Sequence, residues 1–321
     1  MSRNPSLPSP GQEISEKPER FRIRLFCALR KKSKEELLLT AFILGVTLVL
    51  FGPVLHWMAR QTLLHEQLKH AFIVLGLAGY ATLMPRRYRV PINLSFDSSS
   101  LLQLTMAFLV LGFSLWTSFT PGILGGTLLA LSAWILFAFG RPVRKVTNVL
   151  LAVFAAYLFF MLSLPWLDWP LRAMAGTHAG WVLDLLGYQT SLSLAQPTHP
   201  LLLLAVNGRT FEVAAECNGF GMISSTVLLA LLLVIPLRKP WFDKLLHVVA
   251  AAFLGSLANT LRIVFICMGA PYFPEHYHLL HEAIGLVFFW GVLALIWFLF
   301  RSDQPVPGTQ TKPAPVTART S

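Results

Sequence analysis

The chain has 321 residues, 55% of them apolar and only 13% charged, with mean hydropathy +0.62 and a formal net charge of +11. Soluble domains carry about 25% charged residues, so this composition cannot cover a globular surface in water. It also excludes intrinsic disorder, which is poor in apolar residues. Basic residues this dilute, set among long apolar runs, argue against nucleic acid as a partner and for a polytopic membrane protein.

Residues 1–36 are polar and basic and read as a disordered cytoplasmic segment, its run Arg20–Lys34 lying against anionic membrane lipid. No short apolar run ends there at a small-residue cleavage site, so a cleaved signal is not expected. A bilayer core of about 30 Å needs about 20 apolar residues in helix. Eight stretches answer to that rule: Leu37–Met58, Leu68–Met84, Ser100–Phe119, Gly122–Phe139, Thr147–Pro165, Phe220–Leu237, Leu245–Cys267 and Ala283–Phe300. The second is the least well bounded, because Lys69 and His70 sit at its start. The predicted fold class is all-α, a polytopic transmembrane helical bundle of about eight spans over residues 37–300. A loop of about residues 166–218 separates the fifth and sixth spans, and residues 301–321 form a disordered tail.

Counting Lys and Arg beside the spans orients the chain. One side receives 21 of the 26, the other only Arg60, Lys69, Arg172 and Arg209, and Arg262 falls inside a span. The split alternates across every loop. It predicts a protein of the cytoplasmic (inner) membrane with both termini in the cytoplasm and the 166–218 loop facing outward.

Polar residues at bilayer depth cost several kcal/mol unless they are paired or face a cavity, so they mark candidate chemistry. Arg262 is one, in Leu257-Ala-Asn-Thr-Leu-Arg-Ile263, with Asn259 on the same helical face. Cys217, in Phe211-Glu-Val-Ala-Ala-Glu-Cys-Asn-Gly-Phe-Gly221, sits at the outer N-terminus of the sixth span. There, free N–H groups and the helix dipole favour a thiolate. Gly219 and Gly221 are expected to leave that backbone open to a substrate carbonyl. His281 closes Glu275-His-Tyr-His-Leu-Leu-His-Glu282 at the mouth of the eighth span. His276, His278 and His281 lack a fourth ligand of suitable spacing, so no metal is assigned, and nothing calls for a cofactor. Cys27 and Cys267 read as inert, the latter as a small hydrophobe in an apolar run. A cysteine nucleophile, a histidine acid/base and an arginine for the oxyanion make a complete acyl-transfer set. All three fall near one face of three consecutive spans.

These residues carry a resemblance. Glu212-Val-Ala-Ala-Glu-Cys-Asn-Gly219, Asn259-Thr-Leu-Arg-Ile263 and His281 resemble, in order and placement, the cysteine, arginine and histidine motifs of the exosortase/archaeosortase family of membrane-embedded cysteine transpeptidases. Leu183–Gly187 with Tyr188 is similar to the segment ahead of the cysteine motif. Asn218 stands where the family's commonest form has Ser. The resemblance implies a thiol protease or transpeptidase acting on secreted proteins that carry a C-terminal tail of short motif, transmembrane helix and basic cluster. It implies Cys217, Arg262 and His281 as catalytic residues, with Asn259 orienting Arg262, Glu216 or Glu282 tuning His281, and Gly219 supporting. Two other readings fit part of the pattern. A lipid-linked glycan enzyme or flippase would use Arg262 and Arg209 on a phosphate and leave Cys217 idle, and a non-enzymatic assembly partner would need none of the three.

Overall fold

Eight helices and a small sheet make up the computed structural model, which describes residues 32–83, 94–140, 143–195 and 201–301. The helices are α1 (Lys34–Leu64), α2 (Glu66–Leu83), α3 (Ser98–Trp116), α4 (Thr120–Phe139) and α5 (Arg144–Leu185), then α6 (Phe220–Val234), α7 (Trp241–Gly269) and α8 (Tyr277–Arg301). Each overlaps one predicted span, with different bounds. Six are long and apolar enough to cross a membrane; α2 and the 15-residue α6 are the exceptions. The fold is that of a polytopic helical membrane protein. Phe42, Val49, Phe113, Phe253, Val287 and Phe298 are exposed, a surface suited to lipid and unsuited to water. Residues 1–31 and 302–321, and with them the tails, most of the basic run and Cys27, lie outside the described residues.

Two compact units divide the chain. The first takes residues 1–55 and 89–147, the second residues 56–88 and 148–321. In the first, α3 and α4 form a hairpin about Leu104, Ala107, Leu111, Ala130 and Ala133, with Phe51 of α1 in the same core. Asp97 caps α3 by accepting the Ser100 N–H at 2.9 Å, a strong N-terminal signal. Pro121 opens α4, where a missing N–H costs nothing.

The second unit differs from the expected pattern between its fifth and sixth spans, where an irregular loop gives way to ordered structure. α5 continues through Pro165 and Pro170 to Leu185, 42 residues in all. At 1.5 Å per residue it is about 63 Å long, twice the bilayer core. A three-stranded antiparallel sheet follows, β1 (Thr190–Ala195), β2 (Leu201–Val206) and β3 (Arg209–Glu212), in the order β1-β2-β3. Asn207 (φ 49°) and Gly208 (φ 78°) form the two-residue turn between β2 and β3. Both need the left-handed region, as a type I′ hairpin requires.

Leu202, Leu204 and Val206 point from β2 into a core shared with Ala175, Ala179 and Leu183 of α5 and Ile263, Val264 and Cys267 of α7. A side chain at Gly176 would come within 3.1 Å of Leu192, so the sheet lies directly on α5. α6 is almost wholly buried and packs against α2, α7 and α8. It stops at Val234, before the expected Leu237, and Lys244 Nζ donates to the Ile235 carbonyl at 2.9 Å. A cation there suits the negative end of the helix.

Candidate active site

The site lies entirely within the second unit. Cys217 ends a single 3₁₀ turn, Ala215–Cys217, that joins β3 to α6. Its Sγ stands 3.4 Å from His281 Nε2. Arg262 Nη2 stands 3.3 Å from the same nitrogen. Guanidinium has donors and no acceptor, so in this contact Nε2 presents its lone pair. The ring nitrogen is within reach of the thiol proton. Three residues chosen from three separate segments therefore meet at one atom.

The supporting residues behave otherwise than expected. Asn259, 2% exposed, does not turn to Arg262 through its amide; its Nδ2 donates to the Cys217 carbonyl at 2.9 Å. It fixes the Cys217 backbone. Gly219 is in the left-handed region (φ 79°), and a Cβ there would fall 2.8 Å from Asn259 Nδ2. At Gly221 a Cβ would fall 3.2 Å from the Gln67 Cα. A side chain at either glycine would run into Asn259 or α2, yet both glycines line the larger of the two cavities at His281.

Three N–H groups of the turn are committed. Cys217 N–H bonds to Ala214 O, Asn218 N–H to Ala215 O and Phe220 N–H to Asn218 Oδ1. The Arg262 guanidinium is a further donor group at His281, and Gly285 makes room for it, since a Cβ there would lie 3.2 Å from its Nε and Nη2. Glu282 faces His278, 3.6 Å from its Nε2, with both side chains exposed. The Glu216 side chain lies outside the described structure. Among the described residues no group of three or more His, Cys, Asp or Glu is placed to hold a metal ion.

Gly219→Ala is expected to cost about 1–2 kcal/mol from the left-handed backbone alone, with the Asn259 bond to Cys217 disturbed besides. The check is thermal unfolding in detergent beside turnover. A lowered Tm with turnover down at least tenfold is expected, and an unchanged Tm would mean the strand-to-helix turn relaxes freely.

Several contributors carry no motif. Asn218 is 1% exposed and donates to Asp168 Oδ1 at 2.6 Å, and Asp168 in turn pairs with Arg172. That chain ties the residue after Cys217 to α5. Gln67 Nε2 on α2 donates to the Ala215 carbonyl at 3.1 Å, and His70 packs on Phe289 with ring centroids 5.1 Å apart. The only sequence trace of the first group is the Asp168/Arg172 spacing of four. For α2 there is none.

Two cavities meet at His281. A cleft of about 470 Å³ runs between Thr210–Glu212 of β3 and Tyr277 and His278 of α8, with Cys217 in its wall. A larger one, about 820 Å³, lies among α2, α6, α7 and α8 and is lined by His70, Asn259, Arg262, Phe289 and Trp290. Arg209, exposed at the start of β3, lines neither. Cys267, 3% exposed, packs in the core beside Ile263 and Val264.

With this geometry in hand, the chain can be set against known proteins. No curated protein and no solved structure matches it significantly. The family model for the transmembrane exosortases matches residues 57–298, a stretch that holds α2, α5, the sheet and all three residues that meet at His281 Nε2. The chain belongs to the transmembrane exosortase family.

Proposed function

We propose that this protein is a cysteine transpeptidase that cleaves the C-terminal sorting tails of secreted proteins and passes the acyl group to an acceptor. The observation that carries the reading is the convergence of Cys217 Sγ and the Arg262 guanidinium on one nitrogen of His281. Nucleophile, base and cation are then within reach of one scissile carbonyl. The charge distribution supports an inner-membrane protein with both termini in the cytoplasm and Cys217 toward the outer face.

His281 Nε2 takes the Cys217 proton, and the thiolate attacks the carbonyl carbon of the scissile bond. The carbonyl π pair moves onto oxygen, where Arg262 holds the charge. Collapse of this intermediate expels the amine of the tail, which takes the proton from His281, and leaves a thioester on Cys217. The acceptor gives its proton to His281, attacks the thioester and releases the thiol. The lipid-linked glycan reading is weaker, since it pairs Arg262 with Arg209, which lines neither cavity.

The test is the covalent intermediate. Membranes holding the protein and a reporter with a sorting tail from the same genome are expected to yield a hydroxylamine-sensitive adduct between reporter and enzyme. Tail cleavage that proceeds with no such adduct and survives alkylation of Cys217 would overturn the proposal.

A further inference from the structure

We infer that the extended motif of the sorting tail binds as a fourth strand on the free edge of β3, which lays its backbone beside Cys217. The inference rests on the transpeptidase reading and says how the substrate is held. β3 is the last strand in the order β1-β2-β3, and among the described residues nothing pairs with its outer edge. That edge is the wall of the 470 Å³ cleft that also contains Cys217 and His281. An open edge is a template for another strand, and here it faces a groove bounded opposite by α8.

The phase of the ladder fixes which groups it offers. Val213 N–H donates to Leu202 O at 2.8 Å. In an antiparallel pair, bonded and non-bonded positions alternate. With Phe211 opposite Leu204 and Arg209 opposite Val206, those two residues also bond to β2. Thr210 and Glu212, opposite Ala205 and Leu203, turn their N–H and C=O outward into the cleft. An added strand would bond at these two residues. Its alternate side chains would meet the groove walls at Phe211 and Tyr277 or at Glu212 and His278. Main-chain bonding supplies affinity for any extended peptide, and the walls supply selection. The edge lies five residues before the nucleophile in sequence, joined to it through the 3₁₀ turn.

Proline separates the outward N–H from everything else. It removes one donor and is tolerated in a strand where that donor faces away from the sheet. Thr210→Pro and Glu212→Pro are each expected to slow processing of the tailed reporter at least tenfold, while Cys217 is alkylated by a maleimide at the wild-type rate. A second measurement does not depend on proline. In the Cys217→Ser background, Glu212→Cys is oxidatively cross-linked to a cysteine scanned through the reporter's motif, and yield is expected to alternate with period two. Wild-type processing by both proline variants, or cross-linking without alternation, would overturn strand addition. Should neither proline variant accumulate, the cross-linking pattern decides. Processing that persists in Cys217→Ala removes the transpeptidase reading itself. Inactive Cys217→Ala with active proline variants removes only the strand.

Discussion

Cys217→Ala abolishes processing of a tailed reporter, by about 10⁴-fold or more, while the protein accumulates in the membrane as the unsubstituted chain does. The size follows from the chemistry, because loss of the nucleophile removes the covalent route and leaves only binding and electrostatics. The fold should tolerate the change. Cys217 is buried at 7% exposure, alanine occupies less space, and the bonds that set the turn run through its carbonyl to Asn259 and its N–H to Ala214. Cys267 cannot substitute, since it packs in the core and lines no part of the 470 Å³ cleft. The three readings separate here. A glycan enzyme would ignore Cys217 and lose activity at Arg209, and an assembly partner would tolerate both changes. Processing at the normal rate by Cys217→Ala ends the transpeptidase reading.

Arg262→Lys is expected to lower the rate of the covalent step by about 10²–10³, the range seen when one oxyanion donor is lost. Charge is kept, so a purely Coulombic account predicts little change. The geometry predicts otherwise. The planar guanidinium reaches His281 Nε2 at 3.3 Å and lies in the room that Gly285 leaves on α8. An ammonium is a compact, strongly hydrated charge without the fork that could hold histidine and oxyanion together. Because the tail is bound elsewhere, the loss should fall on kcat with KM nearly unchanged, and single-turnover rates of thioester formation measure it. Near-normal rates would remove Arg262 from the oxyanion.

What could be read in the sequence was what is costly in a membrane. An arginine inside a span and a cysteine and histidine at helix mouths stand out because lipid tolerates them only with partners. Joining three such residues on consecutive spans needed no more than helix order. The glycines carry two signals at once. A missing Cβ reads alike whether it clears a path for substrate or for a neighbouring helix, and at Gly219 and Gly221 the neighbours are Asn259 and Gln67, 40 and 154 residues away. Contacts at such separations leave no local pattern, which is why α2 went unnoticed as a wall of the site. The length rule for a span stops at Pro165, because a bilayer core asks for about 20 residues and says nothing of a helix that runs on beyond it. The hairpin did have a signal, Asn207-Gly208 after an apolar run, inside the stretch read as a loop.

α5 gives the enzyme a ruler. The same helix carries the sheet on Gly176 and Gly180 and grips Asn218, the residue after the nucleophile, through Asp168. On the strand-addition proposal, the distance from the strand edge to the sulfur is set by this one helix, independently of how deep a substrate's own anchor rides in the bilayer. Tails with longer or shorter spacers would then be cut at the same bond of the motif. Selection would act on the motif, leaving the anchor free to vary among substrates.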